Sequence, residues 1–277
     1  MPSPSSTSFR RAETPSSPSE TVPDVGGVRS ELVLAVRFLT IVPVPGGEAT
    51  GAGALGRAAW WFPLVGVALG GVLALADRGL VRVFPPLLAA VLVVAGWKLL
   101  TGGIHLDGLA DCLDGLAGRD RDHRLAIMRD SRIGVFGALG LLLILLLAIA
   151  AVAELPPSAR VPVLVLAPVA GRGMPALAGA IFRAATPHAG AGADFVAALP
   201  RAAGVTHLLA VLALGAALLG APGALVALGG TLLGLAGTAL VARRIGGVTG
   251  DVLGAGVELS ELGVLLAASA AARLGAV

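Results

Sequence analysis

Long apolar stretches separated by short polar segments fill the chain from residue 58 almost to its end. Seven of them approach or reach the length of about 17–25 residues that a membrane-spanning helix needs. In order they are Ala58–Ala76, Leu87–Gly103, Val135–Ala153, Val161–Ile181, Val205–Gly220, Ala221–Val241 and Val257–Ala271. Only Ala-Pro-Gly, at residues 221–223, marks the junction between the fifth stretch and the sixth. The pattern predicts an all-α fold, a polytopic transmembrane helical bundle of about seven spans.

The residues before the first span have a different character. Residues 1–28 are rich in Ser, Pro and Thr and contain no apolar run, which predicts a disordered tail. Residues 29–277 then form one integral membrane domain. This domain opens with the apolar segment Glu31–Val44, which is too short to span a bilayer. We expect that segment to lie at the membrane interface or to re-enter the membrane.

The composition narrows the class of protein. Hydrophobic residues make up 56% of the chain and charged residues only 13%, with a mean hydropathy of +0.90. A soluble domain carries about 25% charged residues, so this composition excludes a soluble enzyme, a nucleic-acid-binding protein and a coiled coil. The single cysteine, Cys112, excludes an internal disulfide and a cysteine cluster for zinc or iron–sulfur.

The arginines indicate how the spans are oriented. With seven spans, most arginines fall on one face of the membrane, which also receives residues 104–134 and 243–256. Because short loops rich in Arg and Lys stay in the cytoplasm, we expect this face to be the cytoplasmic side of the membrane. The two polar loops are therefore expected to meet there.

A row of aspartates lies in the first of these loops. Asp107, Asp111 and Asp114 are spaced i, i+4 and i+7, so a helix presents all three on one face. Carboxylates arranged in this way repel one another unless a cation neutralises them. Their hard oxygens suit Mg²⁺ or Mn²⁺, and Mg²⁺ usually binds one or two carboxylates together with substrate phosphates. We predict a metal site here, whereas Asp120 and Asp122, which alternate with arginines, indicate a solvated helix face.

A basic segment follows in the same loop. Arg129 and Arg132 flank Asp130 just before the third span. Guanidinium groups bind phosphate oxygens through paired hydrogen bonds, but arginines here could equally anchor the loop at the membrane surface. Ser131 is expected to cap the helix that begins near residue 133.

The second polar loop combines glycines with acidic residues. Thr249 and Gly250 lie in a glycine-rich turn whose backbone amides could face an anion. Asp251, Glu258 and Glu261 lie beside or inside the last apolar stretch. Ionisable groups are costly at that depth, so the default expectation for these three is a functional role.

Three further ionisable residues lie at or inside the spans. His105, two residues before Asp107, could order a metal-bound water, relay a proton, or simply hydrogen-bond to the backbone. Lys98 and Arg172 fall within apolar stretches, so both are expected to face a polar interior. A phosphate partner is expected for Arg172 and a position snorkelling toward the interface for Lys98.

Clustered carboxylates, a divalent cation and nearby arginines at one membrane face are suited to diphosphate chemistry. Five segments of the chain, in order, also resemble the cobalamin synthase family, adenosylcobinamide-GDP ribazoletransferase. They are RFLTIVPVP (Arg37–Pro45), WFPLVG (Trp61–Gly66), TGGIHLDGLADCLDG (Thr101–Gly115), IMRDSRIGVFG (Ile127–Gly137) and GGVTGDVLGAGVELSE (Gly246–Glu261). The resemblance runs from about residue 31 to the C-terminus and leaves out only the tail.

This resemblance implies a multi-pass inner-membrane enzyme that requires Mg²⁺ and acts in nucleotide-loop assembly, the last stage of cobalamin biosynthesis. Such an enzyme joins adenosylcobinamide-GDP to α-ribazole or its 5′-phosphate and releases GMP. The family's acidic motif falls on His105, Asp107, Asp111 and Asp114. Its basic motif falls on Arg129, Asp130 and Arg132. Its C-terminal motif falls on Thr249, Gly250, Asp251 and Glu258.

The motifs lead to a set of expected roles. The expected Mg²⁺ ligands are Asp107, Asp111, Asp114 and Asp251. The expected catalytic residues are Asp114 as the general base, Asp130 as the second candidate for that base, and His105. The expected phosphate-binding residues are Arg129, Arg132, Arg172, Thr249 and Gly250. The expected partners are the small-molecule substrates and the lipid bilayer, with no nucleic acid and with oligomers possible.

Two other functions fit the same composition. A CDP-alcohol phosphotransferase also uses aspartates on helices, Mg²⁺ and an attacking alcohol, but its pattern D-x-x-D-G-x-x-A-R followed by G-x-x-x-D-x-x-x-D is not reproduced here. An ion-coupled transporter would be favoured by inverted repeats. The sequence shows no such repeats, and its polar clusters lie at the ends of spans rather than in their middle.

Overall fold

A computed structural model describes residues 27–51, 53–186 and 190–277. The predicted tail lies outside the described residues except for its last two positions, and the first helix begins at Val28. In chain order the helices are α1 (Val28–Leu39), α2 (Ala54–Ala58), α3 (Phe62–Leu80), α4 (Pro86–Leu100), α5 (Ile104–Gly115), α6 (Arg121–Met128), α7 (Val135–Glu154), α8 (Pro157–Ile181), α9 (Ala191–Ala198), α10 (Arg201–Ile245) and α11 (Gly250–Arg273).

Five helical segments are long and apolar enough to cross a membrane. They are Ala54–Leu80, which joins α2 to α3, then α7, α8, α10 and α11. A further candidate is the pair α4 and α5, which is bent by 89° at the break between its two helices. The predicted all-α transmembrane bundle is therefore confirmed over the described residues.

The 45-residue helix α10 is a hairpin rather than one rod. Gly220 has φ 69° and ψ −160°, a left-handed conformation that glycine adopts readily and that interrupts the helix. Beyond it the chain doubles back, because Gly215 packs directly against the backbone of Gly223. The two arms match the predicted fifth and sixth stretches, so with α4 the described helices supply the seven expected apolar segments.

Helices α8 and α11 form the centre of the bundle, and most of their surface is buried. Helices α3, α5, α7 and α10 pack around them. The more peripheral α7 exposes most of its apolar side chains, as expected of a helix that faces lipid.

One end of the bundle, here called the site end, gathers α5, α6, α9 and the loop between α10 and α11. Arg121 on α6 donates from Nε to the carbonyl of Ile245 at 2.9 Å and from a terminal nitrogen to that of Ala185 at 2.7 Å. An isolated bridge pairs Ala184 with Val248. The two polar loops thus lie together, as the arginine pattern predicts; the α3–α4 and α7–α8 turns lie at the opposite end.

Candidate active site

Two glycines set the direction in which helix α5 crosses the bundle. Gly102 and Gly103 have φ values of 64° and 68° and turn the chain sharply after α4. From Ile104 the chain is helical again, so the predicted helical face with Asp107 and Asp111 is formed.

The acidic face of α5 lies against the first turn of α11. A Cβ on Gly108 would lie 2.8 Å from the Cα of Asp251, so only glycine permits this approach of the two helices. Asp111 consequently interacts electrostatically with Asp107 and Asp251, and Asp251 with Asp107. Among the described residues, none of the three forms an ion pair with a basic side chain. Over the described residues, the site thus concentrates negative charge that no basic side chain neutralises by direct pairing.

These three carboxylates are suitable donors for a divalent cation. Within the described ranges, no three acidic, histidine or cysteine side chains converge into a complete metal-binding group. Mg²⁺ is often bound by only one or two carboxylates, with water and substrate phosphates as its other ligands. The donor chemistry and the uncompensated charge therefore fit a cation that is held jointly with a substrate.

Asp114, on the same helix, contacts a different element. Its two carboxylate oxygens accept the backbone N–H groups of Gly134 at 2.7 Å and Gly137 at 2.9 Å, and so cap the N-terminus of α7. The exposed Ser131 does not cap this helix, so that prediction is wrong. These two hydrogen bonds give Asp114 a structural role at α7, and its expected roles as metal ligand and general base stay predictions.

The basic segment divides into two parts. Arg132 is 87% exposed and donates from Nε and a terminal nitrogen to the carboxylate of Asp130, at 3.0 and 2.6 Å. These hydrogen bonds lower the pKa of Asp130 to about 2. The structure therefore does not support Asp130 as a base or Arg132 as a phosphate ligand. Arg129, by contrast, lines a cavity at the site.

The N-terminus of α11 forms another part of the site. Thr249 caps this helix, since its hydroxyl accepts the N–H of Val252 at 3.3 Å, and it also contacts a carboxylate oxygen of Asp251 at 3.3 Å. Thr249 and Gly250 line the same cavity as Arg129. The unpaired amides and positive dipole end of a helix N-terminus favour anions, and phosphate binding by these two residues stays a prediction.

Two cavities at the site end adjoin each other at Asp251. The larger has a volume of about 580 Å³ and is lined by Leu125, Met128, Arg129, Thr186, Gly190, Ala191, Gly192, Ala193, Thr249, Gly250 and Asp251. The smaller has a volume of about 200 Å³ and is lined by Phe38, Ile104, His105, Asp107, Pro175, Ala191, Gly192, Phe195, Gly250, Asp251, Leu253 and Gly254. Asp251 lies in the wall that both cavities share.

A family model described as cobalamin-5-phosphate synthase matches residues 31–269, which include every site residue named above. The chain belongs to this family. Similar proteins named adenosylcobinamide-GDP ribazoletransferase come from Chlorobaculum tepidum (37% identical, covering 87% of this chain and 95% of that protein), Roseiflexus sp. (40%, covering 87% and 90%) and Bradyrhizobium diazoefficiens (37%, covering 89% and 95%). No solved structure matches the chain.

This member of the cobalamin-5-phosphate synthase family also holds a buried charge cluster beneath its acidic face. Lys98 Nζ on α4 donates to Glu258 at 2.5 Å and to Glu261 at 2.8 Å on α11. Arg172 on α8 pairs with the other oxygen of Glu261. Lys98 and Arg172 do face a polar interior, as predicted, but Lys98 does not snorkel. Arg172 binds a carboxylate where a phosphate was expected.

His105 lies between this charge cluster and the acidic face. It is 6% exposed, lines the smaller cavity, and its Nδ1 has no hydrogen-bond partner among the described residues. An unpaired buried nitrogen costs free energy unless a bound molecule satisfies it. His105 is therefore placed to contact a ligand in the smaller cavity.

Sequence reasoning missed other residues that shape the site. Arg121, which alternates with Asp120 and Asp122 in the sequence, ties α6 to two backbone segments. Phe38 and Phe195, which line the smaller cavity, were not singled out. The scarcity of aromatic residues, 4% of the chain, was the one available signal that each aromatic residue could have a specific role.

Proposed function

We propose that the protein is a Mg²⁺-dependent adenosylcobinamide-GDP ribazoletransferase whose active site faces the cytoplasm. One observation carries the proposal: a family match over the whole site coincides with unpaired carboxylates where two cavities meet. Two cavities suit a reaction with two large substrates. The arginine-rich loops at the site end support the cytoplasmic orientation.

The proposed reaction is an in-line displacement at phosphorus. The 3′-hydroxyl oxygen of α-ribazole, or of its 5′-phosphate, forms a bond to the phosphorus that carries cobinamide. The bond from that phosphorus to the bridging oxygen breaks, and GMP leaves with the bridging oxygen and the electron pair. The hydroxyl proton passes to a base on the protein. The products are adenosylcobalamin or its phosphate, and GMP.

The acidic residues, Arg129 and the start of α11 would have separate roles in this reaction. Asp111 and Asp251 would hold Mg²⁺, and Asp107 lies beside them. When bound, Mg²⁺ neutralises diphosphate oxygens and stabilises the leaving group. Asp107 lines the smaller cavity beside Asp251, and we assign it the proton of an acceptor hydroxyl that approaches Asp251 from that cavity. Arg129 and the amides at the start of α11 would bind phosphate oxygens in the larger cavity.

A direct assay of the purified protein in lipid nanodiscs tests the proposal. GMP release from adenosylcobinamide-GDP is measured with α-ribazole, with its 5′-phosphate, and with neither, in Mg²⁺ or in EDTA. We expect release that needs an acceptor and Mg²⁺. Asp122→Asn serves as the control variant, because the side chain of Asp122 is 87% exposed and lies in neither cavity. Absence of GMP release with either acceptor, or full release in EDTA, would contradict the proposal.

A further inference from the structure

The smaller cavity is built from aromatic and apolar side chains, in a chain that has few aromatic residues. The chain contains seven Phe, three Trp and no Tyr. Three of the phenylalanines form one row: the ring of Phe62 lies 5.9 Å from that of Phe38 and 6.0 Å from that of Phe195, nearly parallel to both. The two outer members of this row line the smaller cavity.

We propose that the smaller cavity binds the flat benzimidazole base of the ribazole acceptor, with its ribose directed toward Asp251. This inference rests on the proposed function and adds the place and the chemistry of acceptor binding. Aromatic side chains at an edge of a cavity offer stacking surfaces for a planar base. Ile104, Pro175 and Leu253 complete an apolar lining that suits a methyl-bearing base.

The size and position of the cavity support the same occupant. A cavity of about 150 Å³ holds benzene in another protein, so about 200 Å³ suits a fused two-ring base and excludes a corrin macrocycle. The larger cavity, with Arg129 and the α11 N-terminus, remains for the diphosphate substrate. Because both cavities share Asp251, an acceptor hydroxyl in one and a phosphorus in the other would meet at the carboxylates.

His105 supplies a polar contact of the right kind. The benzimidazole ring of a ribazole has one nitrogen free of substituents, and that nitrogen accepts a hydrogen bond. The buried Nδ1 of His105 lacks a partner among the described residues, and in the neutral tautomer that carries its hydrogen there it donates one. Guanine and the adenine of the adenosyl group, the other flat bases among the substrates, present several donors and acceptors at their edges, which this mainly apolar lining would leave unsatisfied.

Equilibrium dialysis of α-ribazole with the protein in nanodiscs, without Mg²⁺ and without the corrinoid substrate, tests the assignment. We expect Phe195→Leu and Phe38→Leu each to raise the Kd for α-ribazole at least about fivefold, because leucine removes the stacking face. The KM for α-ribazole should rise in parallel, with that for adenosylcobinamide-GDP unchanged. The matched control is Phe84→Leu, in the α3–α4 turn at the opposite end.

Using two variants keeps the result interpretable if one of them does not fold. Phe195 is 3% exposed, whereas Phe38 is 37% exposed at the cavity edge and should tolerate replacement. Unchanged α-ribazole Kd in the folded variants, or displacement of α-ribazole by GMP, would overturn the assignment while wild-type turnover persisted. Wild-type protein without any GMP release would instead contradict the proposed function itself.

Discussion

At the end of the bundle away from the site, Asp77 on α3 lies against Arg160 on α8, whose Nε donates to both carboxylate oxygens at 2.9 and 2.8 Å. A second nitrogen of Arg160 donates to the carbonyl of Val152 at 2.9 Å. At the site end, Asp107 and Asp251 form no ion pair among the described residues. A fully paired buried carboxylate serves the fold, whereas carboxylates without an ion pair leave their charge available to a bound cation or substrate.

The largest expected effect is loss of turnover at the site end. Asp107→Asn and Asp251→Asn should each lower the rate of GMP release by about 10³–10⁴-fold, because each removes a negative charge used for the metal or the proton. Thermal unfolding in detergent should change little, since these residues are not buried in an ion pair. Near-normal turnover in either variant would show that this carboxylate, like Asp77 at the opposite end, is not needed for the reaction.

The opposite end should show the reverse behaviour. Asp77→Asn leaves Arg160 buried and uncompensated, and should lower the free energy of unfolding by about 3–5 kcal/mol. The turnover of the molecules that remain folded should stay at the wild-type value. A double variant, Asp77→Leu with Arg160→Met, should recover much of the stability. If it recovered none, the pair would be acting through something other than mutual compensation.

Replacing a residue of the buried charge cluster is expected to lower both stability and turnover. Lys98→Met would leave Glu258 and Glu261 facing each other, and should cost about 3 kcal/mol of stability. It should also lower turnover, because Lys98 lies on the last turn of α4, just before the glycines that aim α5. Adding Glu258→Gln should restore part of the stability in denaturant titrations. Wild-type turnover in Lys98→Met would show that the cluster serves the fold alone, like Asp77 and Arg160.

Replacing Asp114, which lies on the same helix as Asp107, is expected to have a smaller effect on stability and turnover. Asp114→Ala removes the cap of α7 and should cost about 0.5–2 kcal/mol, as other cap replacements do. Asp114→Asn keeps one acceptor oxygen and should cost less. Both should retain much more turnover than Asp107→Asn. If Asp114→Asn lost as much activity as Asp107→Asn, Asp114 would be a reacting group as well as the cap of α7.

The sequence predicted those features of the structure that depend on a single physical property along the chain. Hydropathy located the spans, including the reversal near Gly220, and helical spacing placed Asp107 and Asp111 on one face. Arginine distribution predicted that the two polar loops meet. Tertiary pairing follows no such local rule: that Asp114 caps a later helix, or that Arg172 meets Glu261, depends on how distant segments pack.

The smallest expected effect concerns Asp130, a carboxylate at the site end that does have a partner. Its pKa of about 2 lies below the usual value for Asp, so its pairing with Arg132 is lost only as the pH falls toward 2. Any loss of activity between about pH 5 and pH 7 must then come from other groups. Asp130→Asn should leave the acid limb of the pH–rate profile unchanged and most of the turnover intact. A shifted acid limb in this variant would make Asp130 a reacting group and would show that a paired carboxylate also takes part in the chemistry.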